Sequence, residues 1–178
     1  MTMLKKVFAS LLALVMLLTL SAAVAEDNSL QAVLDKGTFI IGLDDSFPPL
    51  GYRDENNDIV GFDIDVARAV AEKLGVEFIA QPISWEAKEL ELSSGNIDCI
   101  WNGFTMNGRE DQYTWTDPYM DNSQVVVVKK DSGINTLADL AGKVVEVQKE
   151  SAAETALNDE EHADLMASFA QLLSVGEY

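Results

Sequence analysis

Few residues in this chain could do covalent chemistry. It holds one cysteine, Cys99, and one histidine, His162. A single cysteine excludes an internal disulfide framework and a cysteine-based zinc cluster. A single histidine excludes a multi-histidine metal site, and the polar run Asn158-Asp159-Glu160-Glu161-His162 reads as solvated surface. Asp63 and Asp65 form a carboxylate pair, but their place at a helix start reads as capping and surface exposure rather than acid–base work. Asp54-Glu55-Asn56-Asn57-Asp58 suggests a calcium loop, yet the glycine and closing glutamate of an EF-hand are not at the needed offsets. No metal and no cofactor is expected. What remains is recognition by charge, hydrogen bonds and rings. Arg109 offers a planar fork of donors that pairs a carboxylate bidentately. Asp44, Trp85 and Asn102-Gly103 stand at turn-like positions.

The elements that must position these residues alternate. Thr38-Phe39-Ile40-Ile41-Gly42-Leu43 is a short apolar, β-branched run that ends in the turn-prone Asp44-Asp45-Ser46, so it reads as a buried strand entering a loop. Asp54–Asp58 is a polar turn between apolar flanks. A helix opens at Asp63, with Ala67, Val70, Ala71 and Leu74 on one face, and Gly75 stops it. Val76–Ala80 is a second strand, Trp85–Ser94 a short helix ended by Gly95-Asn96, and Ile97–Trp101 a third strand that opens into Asn102-Gly103. Strands separated by helices imply an α/β fold with a parallel, doubly wound sheet. Ligands of such sheets sit beyond the carboxyl ends of the strands, and the loops at Asp44, Trp85 and Asn102 share that edge. Thr116-Asp117-Pro118-Tyr119 interrupts the pattern. A strand at Gln124–Lys130, a short helix at Leu137–Leu140, a strand at Val144–Gln148 and a helix from Ser151, with Glu154 at the capping-box offset, restart it. A further strand is expected near Met166–Phe169 and another helix from Ser174. The expected organisation is residues 26–120 as a first lobe and 121–178 as a second.

The amino terminus has its own pattern. Lys5 and Lys6 precede an apolar run from Val7 to Leu20, and Ala23-Val24-Ala25 precedes Glu26-Asp27. This is the order of a secretory signal peptide cleaved after Ala25. The run is shorter than the roughly 20 apolar residues that a membrane span needs. Cys99 is far from the cleavage site, so no lipid anchor is expected. Residues 1–25 carry two lysines and no acids, so their removal moves the formal charge from −18 to −20. Such acidity argues against nucleic acid and anionic membranes as partners; it does not repel a zwitterion.

The residues on that edge, taken with their neighbours, resemble family 3 of the bacterial extracellular solute-binding proteins, the receptors for polar amino acids. The stretches that carry the resemblance are Ile41–Pro49, Gly61–Ala67, Gly95–Asp98, Asn102–Arg109, Thr116–Tyr119 and Leu137–Lys143. The resemblance implies a two-lobed fold of the type II periplasmic-binding-protein kind that closes on its ligand by a hinge. It implies a monomer that delivers an amino acid to the permease subunits of an ABC importer, in the periplasm or on the outer side of the cytoplasmic membrane. It also implies a site. Arg109 would hold the ligand's α-carboxylate with help from Thr105, and the Gly103 carbonyl would face the ligand ammonium. Phe47 and Trp85 would sandwich the ligand, and Asp44 would contact its polar end. Gln148, Ser151 and Ala152 would contribute from the second lobe, and Asn102 and Phe104 complete the lining.

Departures from the family pattern sharpen three expectations. Glu150 stands where many members have glycine, and a side chain is costly at a positive φ. Phe104 occupies a position that is often small, so it narrows the pocket or packs behind it. The chain also stops at Gly176-Glu177-Tyr178, before the aspartate and the returning segment of the family. On that reading the second lobe is incomplete, the chain is a fragment, and its binding is weaker than its parent's. The alternative function is an enzyme: some relatives of this kind are dehydratases, which need a positioned acid or base.

Overall fold

A computed structural model describes residues 27–176; the signal-peptide reading of residues 1–25 lies outside these. The chain divides into two compact units, Met1–Ala32 and Val33–Tyr178, and the second carries the fold.

Strand β1 (Thr38–Leu43) has the bounds its apolar run predicts. It follows helix α1 (Ser29–Lys36) and is the centre of a three-stranded parallel sheet in the order β5-β1-β6. β5 (Glu77–Pro82) runs in register with all of β1, from Thr38 opposite Glu77 to Leu43 opposite Pro82. β6 (Cys99–Ile100) pairs only with Ile41 and Gly42. A small antiparallel sheet of β2 (Ser46–Phe47), β3 (Gly51–Arg53) and β4 (Ile59–Val60) follows β1, with the polar Asp54–Asp58 turn between its last two strands. Helix α2 (Phe62–Leu74) crosses from that sheet to β5. It starts one residue earlier than expected. Gly75 closes it at φ 73, its N–H reaching the carbonyls of Ala71 and Glu72, the left-handed cap only glycine adopts cheaply.

The core forms where α2 covers β1. Ile41, Leu43, Ile64 and Ala67 are fully buried, flanked by Phe39, Phe78, Ala80 and Trp101. Burying such side chains is worth about 1.5–3 kcal/mol each for the large aliphatics. Gly42 is required inside this core, because a Cβ there would run into Ile97 Cδ1.

After β5 the chain makes a 3₁₀ turn at Trp85–Ala87 and then helix α3 (Lys88–Ser93), splitting the single helix expected over Trp85–Ser94. From Trp101 to Thr136 there is neither helix nor strand. The strand expected at Gln124–Lys130 does not form. Val125 and Val127 are 75% and 89% exposed. Four valines in a row favour an extended backbone, but no described segment lies beside them to complete a ladder, and a strand without a partner has no hydrogen bonds to gain.

A 3₁₀ turn at Leu137–Leu140, with a Thr136/Asp139 capping box, leads into β7 (Val144–Gln148), again with the expected bounds. β7 pairs in parallel with β8 (Gln171–Val175), Val144 opposite Gln171 through Gln148 opposite Val175. Between them lie α4 (Ala152–Leu157), a 3₁₀ turn at Glu160–His162 and α5 (Ala163–Ser168). Met166–Ser168 are therefore helical rather than a strand, and Phe169 is the extended residue that ends the helix. Leu165, Met166, Ser168 and Phe169 are its inward residues, a helical spacing. The strand comes at Gln171–Val175 instead, and Ser174 lies in it rather than in a helix.

Candidate functional site

The carboxyl ends of β1, β6 and β7 meet. Asp44, one residue past β1, is buried with 6% of its surface exposed. Its N–H donates to Asn102 Oδ1 at 3.1 Å, joining the loops after β1 and β6. Its Oδ1 accepts from Ser46 N at 2.9 Å and Ser46 Oγ at 2.6 Å, a turn-closing role. Its Oδ2 accepts from Gln148 Nε2 at 2.7 Å. Asp44 thus both caps its own turn and ties it to the end of β7. Asn102 is equally buried.

Gly103 adopts φ 57. A Cβ there would meet the end of the Leu50 side chain, which can shift, so it is the left-handed conformation that favours glycine. Phe47 itself, in β2, is 42% exposed, leaving a ring face free. Trp85 differs: it is buried, with Phe104 edge-on at 5.2 Å and the Lys88 ammonium 5.2 Å from its ring. Phe104 also meets Tyr113 at 5.1 Å and Trp115 at 5.0 Å. Phe104 therefore packs within an aromatic cluster.

Arg109 is half-buried between two segments. Its Nη1 donates to the Thr105 carbonyl at 3.3 Å and its Nη2 to the Glu150 carbonyl at 3.1 Å, with the guanidinium 5.2 Å from the Phe104 ring. It is not a solvated charge beside Glu110 and Asp111. Thr105 Oγ1 accepts from Asn122 Nδ2 at 2.9 Å. Beyond β7, Ser151 caps α4, its Oγ accepting from Glu154 N at 3.1 Å, and Ala152 opens the helix. The other half of the capping box is displaced by one residue: Glu154 Oε2 accepts from Glu150 N at 2.6 Å.

Glu150 adopts φ 56, the left-handed geometry of the glycine it replaces, at a cost of roughly 1–2 kcal/mol. What holds it is visible. Arg109 takes its carbonyl, Glu154 its N–H, and Lys88 Nζ lies 3.4 Å from its Oε2. Lys88 was not anticipated. It is 2% exposed, and Nζ also reaches the Trp85 carbonyl at 3.3 Å. Its spacing three residues after Trp85 places it on the inward face, which was the available signal. Lys149 adds a pair with Glu86 at 2.8 Å. Cations of one segment thus meet anions of the other throughout.

Two expectations about ionisable groups are corrected. Asp63 has no exposed surface: the first turn of α2 lies under the loop after β6, so Asp63 faces inward and only Asp65 is exposed. His162 is half-buried, with Nδ1 3.7 Å from Glu161, because its 3₁₀ turn packs against α5. Cys99, in β6, has its thiol pushed up to about 12 by burial and by Asp98, so it is no nucleophile at neutral pH. Among the described residues no group of three or more His, Cys, Asp or Glu is placed to hold a metal ion. A shallow hollow of about 480 Å³ lined by Val128, Lys129, Lys130, Asp131, Ser132 and Ile134 contains none of these residues.

Arg109 carries the kind of planar donor fork that pairs a carboxylate. The sheet order, with short parallel strands and a ligand edge at their carboxyl ends, is that of type II periplasmic binding proteins. The profile of the bacterial extracellular solute-binding proteins, family 3, matches residues 39–174, and the chain belongs to that family. It is 32% identical over 126 residues to the L-cystine-binding protein TcyJ of Escherichia coli (strain K12), covering 69% of this chain and 47% of that protein. Among solved structures it resembles Tv2483 bound to L-arginine, with TM-score 0.77 and 35% identity over 85% of this chain and 61% of the other. It also resembles AncCDT-1, an ancestral amino-acid-binding protein that is a precursor of cyclohexadienyl dehydratase, with TM-score 0.74 and 28% identity over 84% of this chain and 65% of the other. The chain spans about half the length of TcyJ.

Proposed function

We propose that this chain is the ligand-gripping part of an extracytoplasmic amino-acid receptor that serves an ABC importer. The observation that carries the reading is Arg109, held half-buried where the loops after β6 and β7 meet, in a family whose relatives bind amino acids such as cystine and arginine. On this reading Arg109 turns its fork to the ligand α-carboxylate, Thr105 assists, and the Gly103 carbonyl takes the ammonium. Phe47 covers the ligand with its free face. Asp44 and Gln148, now bonded to each other, separate to take the ligand's polar end. Trp85 and Phe104 form the apolar wall, Asn102 fixes the Asp44 turn, and Ser151 and Ala152 approach from the β7 side. Residues 26–120 and 121–178 are the two lobes, residues 1–25 direct export with cleavage after Ala25, and the receptor works as a monomer without nucleic acid.

Its action is binding without chemistry. A dehydratase needs an acid or base poised in the site. The site's carboxylate, Asp44, is tied up by Ser46 and Gln148, and His162 belongs to the turn after α4. Calorimetry of the purified chain against the common amino acids, with mass spectrometry of the recovered ligand, tests this. Saturable binding of at least one amino acid, recovered unchanged, is expected. Binding of none overturns the receptor reading, and a new product overturns the absence of catalysis.

A further inference from the structure

Two neighbouring residues of the loop after β7 are tied to two residues that follow β5, with the charges exchanged. Lys149 Nζ lies 2.8 Å from Glu86 Oε2, and Lys88 Nζ lies 3.4 Å from Glu150 Oε2. A slip that set Lys149 against Lys88 would oppose like charges, so the two pairs fix one register. Glu150 is held at each of its polar groups. Its N–H donates to Glu154 Oε2 at 2.6 Å, and its carboxylate faces Lys88. Its carbonyl accepts from Arg109 Nη2 at 3.1 Å, and it is in the left-handed conformation, φ 56, that this carbonyl meets Arg109. Arg109 Nη1 goes to the Thr105 carbonyl at 3.3 Å. Both arms of the guanidinium fork are therefore engaged by the chain's own backbone.

We propose that Lys88 is a positioning residue that acts on Arg109 through Glu150: by holding the Glu150 side chain it keeps the Glu150 carbonyl in the Arg109 fork, so that a ligand carboxylate must displace that carbonyl to bind. The proposal rests on the receptor reading above. A carboxylate pairs with a guanidinium more strongly than a neutral carbonyl does, so the displacement is favourable, but the bond given up lowers the ligand's net affinity. The hold is also releasable. Lys88 is 2% exposed, yet its contacts to Glu150 at 3.4 Å and to the Trp85 carbonyl at 3.3 Å are at the long end of the hydrogen-bond range. A loop that had only to keep its shape would do so at less cost with glycine at 150 and an apolar residue at 88. The use that fits a buried cation on a left-handed glutamate is control of the carbonyl between them and Arg109.

The test uses Lys88→Met, Glu150→Gln and the double variant in the whole chain. Glu150→Gln removes the ion pair and leaves the backbone carbonyl in place, and melting curves show that each variant folds. Calorimetry against the common amino acids and L-cystine measures affinity, and hydrogen exchange without ligand measures the Glu150 and Ser151 amides. Each single variant is expected to bind about threefold to tenfold more tightly than the wild type, the worth of one neutral hydrogen bond, with faster exchange at Glu150. The double variant should gain no more than the better single one, because both residues act through one contact. A merely structural role for Lys88 predicts the opposite sign, with looser folding and weaker or unchanged binding. A wild type that binds while neither single variant gains affinity overturns the proposal alone, as does unmoved exchange at Glu150. Failure of the wild type and every variant to bind any of these ligands overturns the receptor reading, and the role of Lys88 with it.

Discussion

Gln148 at the end of β7 donates its side-chain amide to the Asp44 carboxylate at the end of β1, at 2.7 Å and across 104 positions of sequence. Both side chains are more than nine-tenths buried. Removing the amide leaves Asp44 with Ser46 alone. Gln148→Leu should therefore destabilise the chain by about 1–3 kcal/mol, the cost of a buried acceptor left short of a donor. Denaturant unfolding at neutral pH measures this. An unchanged midpoint would mean that water replaces the amide freely and that the junction is open.

Glu150 sets two effects against each other. Replacing it by glycine relieves a φ of 56, worth roughly 1–2 kcal/mol. It also strips Lys88, which is 2% exposed, of its anion; the about 3–5 kcal/mol of a fully buried pair is an upper bound here, because Glu150 is 48% exposed and screened by water. The buried cation left behind still outweighs the relief, so Glu150→Gly should destabilise slightly. Lys88→Met should be mild, because Glu150 keeps 48% of its side chain in water. In the double variant glycine's relief should show as a gain over Lys88→Met. Thermal melts of all three decide it; a stabilised single Glu150→Gly variant would show that Lys88 is indifferent to its partner.

How much of this was legible in the sequence follows from what each feature depends on. The bounds of β1 and β7 could be read because an apolar run met a polar turn at each end. The Gly75 cap was legible because only glycine closes a helix in that way. Asp44, Trp85 and Asn102 were placed on one edge by the alternation of strands and helices, and the structure joins Asp44 to Asn102 there, whereas Arg109 was legible only through the family resemblance. The Gln124–Lys130 strand failed because propensity describes a backbone preference, whereas a ladder needs a neighbour. Asp63 and Lys88 were misjudged or missed for one reason: burial of a charge depends on which loop folds over it, and no local pattern records that.

Asp63 and Asp139 should respond to acid with opposite signs. The Asp63 carboxyl is raised, by burial first. Its charged form is disfavoured in the fold, so its contribution to stability improves as pH falls through its folded pKa toward the ordinary carboxylate value of 3.8. Asp139 is lowered by hydrogen bonds from the Asn135 and Thr136 backbone. Its contribution is present above 3.8 and is lost as pH falls through its folded value. Relative to wild type, Asp63→Asn should therefore lose its advantage on acidification, and Asp139→Asn should lose its deficit. Melting curves from pH 7 down to about pH 2 check both slopes, because the Asp139 loss falls below 3.8.

The last prediction concerns Arg109 and separates its two duties. In the structure its Nη1 and Nη2 go to the carbonyls of Thr105 and Glu150, so it already bridges the segments that follow β6 and β7. A carboxylate entering there would compete for the same fork with a stronger, charge-assisted pairing. Lysine offers one point charge on a flexible stem and cannot make two parallel bonds. Arg109→Lys should keep most of the stability, since backbone carbonyls can also accept from an ammonium, yet weaken amino-acid binding by about tenfold or more. Arg109→Ala should abolish binding and also loosen the Glu150 loop, seen as faster amide exchange at Glu150 and Ser151. Calorimetry and hydrogen exchange on the same samples distinguish the duties. Faster exchange with unchanged affinity in Arg109→Ala would leave Arg109 a bridge between loops and remove it from the ligand site.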